Sequence, residues 1–194
     1  MTILKKFVKL DTSKKTSAKD LLRILPTDAD RFLLTKSINI FHNISFGSDT
    51  YSKVLMFDNL KTICLILENS LRIKGKGDTL KPLISNVFKN EQWLKYFEKN
   101  TKLTNFRDPT KKGALQKFEA QLKKIENKNF ANIPTNLSNE EKFLIYAFLK
   151  SALLRNLTAH LFDLNASILQ NISNYQNAFE VVMLCLLYSL HFQS

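Results

Sequence analysis

The chain is poor in the residues that interrupt helices. Its 194 residues include only four glycines and four prolines, which is little material for the turns of an all-β fold. Long helices joined by short polar loops are therefore the architecture that the composition favours. Hydrophobic residues make up 44% of the chain and include 15 Phe, enough to fill the core of a single helical domain over residues 1–194.

Long apolar runs are also missing. The longest, Val181 to Leu190, covers about ten residues, which is half of what a transmembrane helix needs. The first residues, Met1 to Lys6, lack the apolar stretch of a secretory leader. These absences predict a cytoplasmic protein without a membrane partner. Cys64 and Cys185 each lie in an apolar helical pattern, which predicts reduced core residues rather than a disulfide or metal ligands.

Acidic residues are outnumbered by basic ones, with 17 Asp and Glu against 29 Lys and Arg and a formal net charge of +12. Segment 74–129 carries fourteen cationic residues against six acidic ones. Residues 1–15 are Lys-rich and poorly patterned, and we interpret them as a basic arm. Such a surface attracts polyanions, because each phosphate that it neutralises releases condensed counterions. The charge distribution therefore predicts contact with nucleic acid.

Apolar residues recur at three- and four-residue spacing along most of the chain, which predicts an all-α fold, an antiparallel helical bundle. Trp93, Tyr96 and Phe97 are interleaved with lysines, so they are candidates for stacking on unpaired bases, although this spacing is more typical of core residues. The predicted helices cover about 28–44, 48–73 with Ser48 as N-cap, 79–89, 91–100, 110–127, 138–161 and 175–190.

The helix predicted from residue 138 to about 161 is the most informative. Ser138 and Glu141 form a capping box at its start. Residues 143–157 are apolar on nearly every side, which implies neighbours all round, and a second copy of the chain is a candidate for one of them. Arg155 lies on this helix and needs an anionic partner, because an unpaired buried charge is costly. Its neighbours at three and four residues are small and predict a shallow groove: Ser151, Ala152, Thr158 and Ala159.

The six residues from Arg155 to His160 read Arg-Asn-Leu-Thr-Ala-His. An Arg, four further residues and a His, with Asn156 directly after the Arg, resemble the active-site motif of the HEPN superfamily of ribonucleases. The similarity includes placement on the penultimate long helix of a bundle, followed by one more helix. It is best over residues 138–190.

The resemblance implies a metal-independent endoribonuclease that needs no cofactor. In the family, the arginine and histidine of two protomers converge at a two-fold interface, which implies a homodimer with a composite site. The 2′-OH of the RNA would attack the adjacent phosphate and leave a 2′,3′-cyclic phosphate. His160 would transfer the proton, Arg155 would stabilise the developing charge, and Asn156 would orient the histidine or the phosphate. The lysines of segment 74–129 would hold the flanking RNA.

The family also implies a biological setting, namely antiviral defence or toxin activity within a larger defence or toxin–antitoxin assembly. Phe162 departs from one subgroup, since toxins paired with a nucleotidyltransferase antitoxin have Tyr at this position. Two alternatives remain open. One is a non-catalytic basic module of the same family that binds RNA or a partner protein. The other is an unrelated basic helical protein that binds nucleic acid, in which Arg155 forms a core ion pair, and burial of Arg155 against a carboxylate would favour it.

Overall fold

The computed structural model describes residues 23–43, 49–105, 113–128, 133–160 and 164–193, with the backbone alone for His160. The described residues form α-helices and one 3₁₀ turn, without strands, so the all-α prediction is confirmed. The basic arm predicted at residues 1–15 lies outside the described residues. The elements are α1 Asp28–Asn43, α2 Thr50–Leu71, α3 Leu80–Val87, α4 Leu94–Asn100, the 3₁₀ turn Thr101–Thr104, α5 Ala114–Glu126, α6 Asn139–His160, α7 Ser167–Gln170 and α8 Ile172–Gln193.

Side chains at the helix starts explain where two of the long helices begin. The capping box at the start of α6 is confirmed, since the Glu141 carboxylate accepts from the Ser138 backbone N–H at 2.9 Å and the Glu141 N–H donates to the Ser138 hydroxyl at 3.1 Å. At α2 the N-cap is Asp49, not Ser48, because the Asp49 carboxylate accepts the Ser52 N–H at 2.9 Å. An anionic cap also complements the positive end of the helix dipole.

The two long helices α2 and α8 run side by side in the same direction. Near one end, the Asn59 amide of α2 donates to the Tyr175 hydroxyl of α8 at 2.8 Å. Near the other end, the Gln193 amide donates to the Ser70 carbonyl at 3.2 Å. This parallel pair forms the middle of the bundle.

The helices α1 and α6 run antiparallel to this central pair. Ring contact between Phe148 and Tyr188, at 6.2 Å, and a contact of Ser151 with Cys185 three residues earlier on α8 fix the direction of α6. Helix α1 is antiparallel to α2, because Asn59 donates to the Ser37 carbonyl whereas Asn69, ten residues later on α2, donates to Asp30, seven residues earlier on α1. The predicted helical bundle is therefore observed, with α1 and α6 antiparallel to the central pair and with the motif on its penultimate long helix.

The single tryptophan belongs to the core. Trp93 is fully buried and stacks on Phe148 of α6, with ring centroids 5.2 Å apart and an angle of 5° between the planes. Phe88 and Tyr188 complete this aromatic cluster. The core interpretation of Trp93 is thus correct, and this ring cannot stack on a base. The cluster fixes α3 and α4 against the middle of α6.

The helices were also compared with the length and apolar character that a membrane-spanning helix needs. Across the described ranges, we find no helix whose length and apolar character would let it cross a membrane.

Candidate functional site

Helix α6 is enclosed by its own chain over most of its length. Every residue from Ala147 to Leu154 is buried, at 2% exposure or less, among the other helices of the same chain. The neighbours that its apolar sequence predicted are therefore intramolecular along this stretch. A second copy could meet α6 only outside this stretch, and the motif lies at the carboxyl end of the helix.

Helix α6 is exposed or partly exposed at both of its ends, over residues 139–143 and again in its last two turns, which carry the motif. Arg155 and Asn156 are partly exposed and Ala159 is exposed, whereas Leu157 and Thr158 are buried. On a helix with 3.6 residues per turn, positions 155, 159, 156 and 160 occupy one continuous face. The predicted groove around Arg155 was to be lined by four small residues, of which Ser151, Ala152 and Thr158 are buried and only Ala159 is exposed. The groove is therefore narrower than predicted. The structure describes the backbone of His160 at the edge of this face and not its imidazole.

Arg155 is bound to a buried carboxylate from α2. Its Nε lies 2.6 Å from Oε2 of Glu68, and the exposed fraction of the side chain is 20% for Arg155 and 4% for Glu68. The other oxygen of Glu68 accepts from Nη2 of Arg72, one turn later on α2. One carboxylate thus holds two guanidinium groups, and the formal charge of the cluster is positive. We call Glu68, Arg72 and Arg155 the arginine cluster.

The arginine cluster is anchored to α1 through a further amide. Nη1 of Arg72 donates to the Asn69 side-chain oxygen at 3.1 Å, and the Asn69 amide donates to Asp30 at 3.0 Å. Asp30 is itself buried and accepts from the Thr27 hydroxyl at 2.8 Å. The positions of the arginines are therefore set by a network that joins the start of α1, the end of α2 and the end of α6.

The guanidinium of Arg155 keeps part of its donor capacity. Its Nε donates to Glu68, whereas Nη1 and Nη2 have no acceptor among the described residues. A guanidinium has five N–H donors in a planar fork, which matches the oxygens of a phosphate. The arrangement can therefore hold the arginine in place with one edge and offer the other to an anion.

Asn156 is bonded to the backbone of the 3₁₀ turn. Its amide nitrogen donates to the backbone carbonyl of Thr104, the last residue of the 3₁₀ turn. Thr104 is fully buried, so this bond satisfies a carbonyl that water does not reach. The observed contact fastens the 3₁₀ turn to α6 beside Arg155, which is a positioning role, and any contact of Asn156 with His160 lies outside the described atoms.

The electrostatic field of the arginine reaches the nearest thiol. Burial raises the pKa of Cys64 on α2 to about 12, and this effect exceeds the opposing influence of Arg155. Burial likewise raises the pKa of Cys185 to about 12. Both cysteines are free and buried, as predicted. Neither can act as a thiolate nucleophile near neutral pH, because the thiolate is the reactive form.

A second charged pair on α6 was not predicted. Lys150 is 1% exposed, and its ammonium contacts Glu126 of α5 and Asn177 of α8 at 2.8 and 2.7 Å. The Tyr146 hydroxyl is a further acceptor at 3.3 Å. Three acceptors satisfy the three N–H donors of this ammonium, so Lys150 joins three helices and is occupied structurally.

Among the described residues, a groove lies away from the motif, between α1 and the start of α2. Its volume is about 690 Å³, and Phe32, Lys36, Asn39 and Tyr51 are among its lining residues. Neither a histidine nor a cysteine lines it. Within the described part of the chain, no three His, Cys, Asp or Glu residues are grouped as a metal site would require.

The fold therefore brings Glu68 and Arg72 to Arg155 of the motif, and it places Asn156 against the 3₁₀ turn. Comparison of the chain with protein-family models, with curated proteins and with solved structures finds no significant match.

Proposed function

We propose that the chain is a metal-independent endoribonuclease of the HEPN type, which acts as a homodimer. The observation that carries the proposal is the state of Arg155. Its guanidinium is fixed through Nε by a buried carboxylate, is 20% exposed, and has terminal nitrogens without an acceptor among the described residues. A cation held in this way is pre-organised to stabilise the charge that develops on a phosphate during the reaction.

The reaction follows from the chemistry of RNA. The 2′-oxygen attacks the adjacent phosphorus and loses its proton to a general base, while the bond from phosphorus to the 5′-oxygen breaks and that oxygen takes up a proton. The products are a 2′,3′-cyclic phosphate and a 5′-hydroxyl. We assign proton transfer to His160 and charge stabilisation to Arg155. Asn156 is a positioning residue. DNA lacks the attacking hydroxyl and is spared.

A dimer would join two such faces at the carboxyl ends of α6. Because α6 is buried from Ala147 to Leu154, the two-fold axis would pass near Arg155 and Ala159 rather than along the helix. A self-complementary interface of this kind supplies each residue twice. Mixing Arg155→Ala with His160→Ala protomers should then recover part of the cleavage that each variant lacks alone.

The proposal is tested by cleavage of a labelled single-stranded RNA in excess EDTA, with DNA of the same sequence as substrate control. Wild type should produce 2′,3′-cyclic phosphate ends, and both Arg155→Ala and His160→Ala should lose at least a hundredfold in rate, in line with general acid–base and electrostatic contributions. Arg31→Ala and His42→Ala, both on α1, are matched controls and should cut at the wild-type rate. Equal loss in the controls, or cleavage that requires a metal, would contradict the mechanism.

A second candidate is an unrelated basic helical protein that binds nucleic acid without cutting it. The observation that favours it is the same ion pair, since the side chain of Arg155 is mostly buried against the Glu68 carboxylate, as a structural role for this residue requires. In this case wild type retains RNA on a filter but yields no cyclic phosphate ends. A role in antiviral defence, or as a toxin in a larger assembly, rests on the resemblance of the motif alone.

A further inference from the structure

Three exposed lysines form a line along α4 and the 3₁₀ turn that follows it. Lys95, Lys99 and Lys102 are spaced by four and three residues, so they share one side of this helical segment. With the rise of an α-helix and of a 3₁₀-helix, successive members are about 6 Å apart. This step is close to the distance between neighbouring phosphates of an extended strand. We call these residues the lysine strip.

The segment that carries the lysine strip lies alongside α6 and ends at the motif. At its start, Trp93 stacks on Phe148. At its end, Thr104 accepts a hydrogen bond from Asn156, the residue next to Arg155. The strip therefore begins about two turns before the motif and runs towards it, parallel to α6.

The lysines of the strip have no carboxylate partner among the described residues, and two of their ammonium groups lie near one aromatic ring. Nζ of Lys95 lies 4.9 Å from the ring centre of Tyr96, and Nζ of Lys99 lies 5.6 Å from it. Like charges four residues apart on a helix repel. Glu98 lies on the adjoining side of α4, yet no lysine of the strip forms an ion pair with a carboxylate of the described residues. Bound phosphates would supply the missing negative charge.

We propose that the lysine strip binds consecutive phosphates of a single RNA strand on one side of the cleavage site. The proposal rests on the proposed function for the place of cleavage, and it assigns the strand path to α4 and the 3₁₀ turn rather than to the lysines of segment 74–129 in general. Tyr96 gathers two of the ammonium groups through its ring, because cations are attracted to an aromatic face. The contacts are to phosphates, so the strip holds RNA of any sequence.

The first measurement is the affinity for a short labelled single-stranded RNA at salt concentrations from about 50 to 200 mM. It uses His160→Ala protein, so that the strand stays intact. Changing Lys95, Lys99 and Lys102 together to Gln should weaken binding at least tenfold at the lower salt concentrations. The slope of log affinity against log salt should fall by about 2, at roughly 0.7 per lost contact with a single strand.

The matched control removes the same charge elsewhere. Lys117, Lys123 and Lys124 are exposed on α5, and their triple change to Gln should leave most of the affinity in place. Equal weakening by the two triple variants would overturn the proposal in favour of a diffuse charge effect, and no weakening by the strip variant would overturn it directly. Tyr96→Leu, which removes the ring but no charge, should give a smaller loss than the strip variant.

Cleavage of a dinucleotide separates this proposal from the proposed function. A dinucleotide bound at the arginine cluster is too short to reach Lys95 and Lys99 as well. A variant with these two lysines changed to Gln, in an otherwise wild-type chain, should therefore cut the dinucleotide at the wild-type rate and cut the longer strand with a raised KM. Equal cleavage of the longer strand by wild type and by this variant of the strip would refute the strand path and would leave the endoribonuclease proposal intact. If wild type cuts neither substrate, the enzyme proposal fails, and the binding measurements still decide whether the strip holds RNA.

Discussion

The ion pair between Glu68 and Arg155 gives the most informative test of stability. Replacing Glu68 by Gln removes the carboxylate that holds Arg155 and Arg72, and it leaves the Arg155 guanidinium mostly buried without its counter-charge. Loss of one partner of a buried pair costs about 3–5 kcal/mol. Because 20% of the Arg155 side chain is exposed, we expect about 3 kcal/mol, the low end of this range. For a chain of this size, that corresponds to a decrease of roughly 9 °C in Tm.

A double-mutant cycle isolates the pair itself. Glu68→Gln, Arg155→Met and the double variant are unfolded in urea, with the helical circular dichroism signal as readout. We expect a coupling free energy of about 2 kcal/mol, within the range for residues in direct contact. The exposed pair of Arg31 with Asp28, whose side chain is 97% exposed, is the matched control and should show much weaker coupling.

Either outcome bears on the role of Arg155. A Glu68–Arg155 coupling below about 0.5 kcal/mol, the level of unconnected sites, would refute the conclusion that the carboxylate holds the arginine. Strong coupling together with cleavage that is lost in Arg155→Met would mean that the network stabilises a functional group. Strong coupling in a protein that cuts no RNA would leave Arg155 as a structural residue.

Three further predictions follow from the caps and the buried groups. Ser138→Ala removes one half of the capping box of α6 and should lower the free energy of unfolding by about 1 kcal/mol, which a urea titration would detect; an unchanged midpoint would contradict the cap. Cys64 and Cys185 should resist a thiol reagent in the native protein and react fully in denaturant, because burial raises both pKa values to about 12; rapid native reaction would show that the helices around them open. Burial raises the pKa of Tyr175 from 10.0 to about 12, so its stabilising contribution is complete below pH 10 and is lost as the pH rises towards 12. The free energy of unfolding measured across this interval should fall less steeply in Tyr175→Phe.

Local features of the fold could be predicted because they depend on neighbouring residues. The capping box of Ser138 and Glu141 and the periodicity of α2 were sufficient to place these helices within a few residues. Trp93 was correctly interpreted as a core residue from its spacing. The α2 cap was assigned one residue too early, to Ser48 instead of Asp49, since both residue types are good N-caps and only the bond to Ser52 distinguishes them.

The partners of the motif could not be predicted because they come from distant parts of the sequence. Glu68 is 87 positions from Arg155. Its spacing of four residues from Cys64 and three from Leu71 places it beside the apolar stripe of α2, which indicates a buried carboxylate but does not identify the cation that pairs with it. The other signal is equally indirect, since a cation on a buried helix requires an anion somewhere. The bond of Asn156 to a backbone carbonyl is invisible in sequence for a similar reason, since every residue supplies such a carbonyl.

The enclosure of α6 up to Leu154 also separates the motif from the turns before it, because the two parts of the helix should differ in local stability. The amide groups of the enclosed turns are protected by the whole core, so their hydrogen exchange should require opening of the entire bundle. The turn that follows Arg155 is the last one of the helix, where fraying makes exchange faster. Within six residues, the expected protection of the backbone amides from hydrogen exchange therefore falls from high to low. An anion that bound both ends of the motif would slow exchange in that last turn and leave the enclosed turns unchanged.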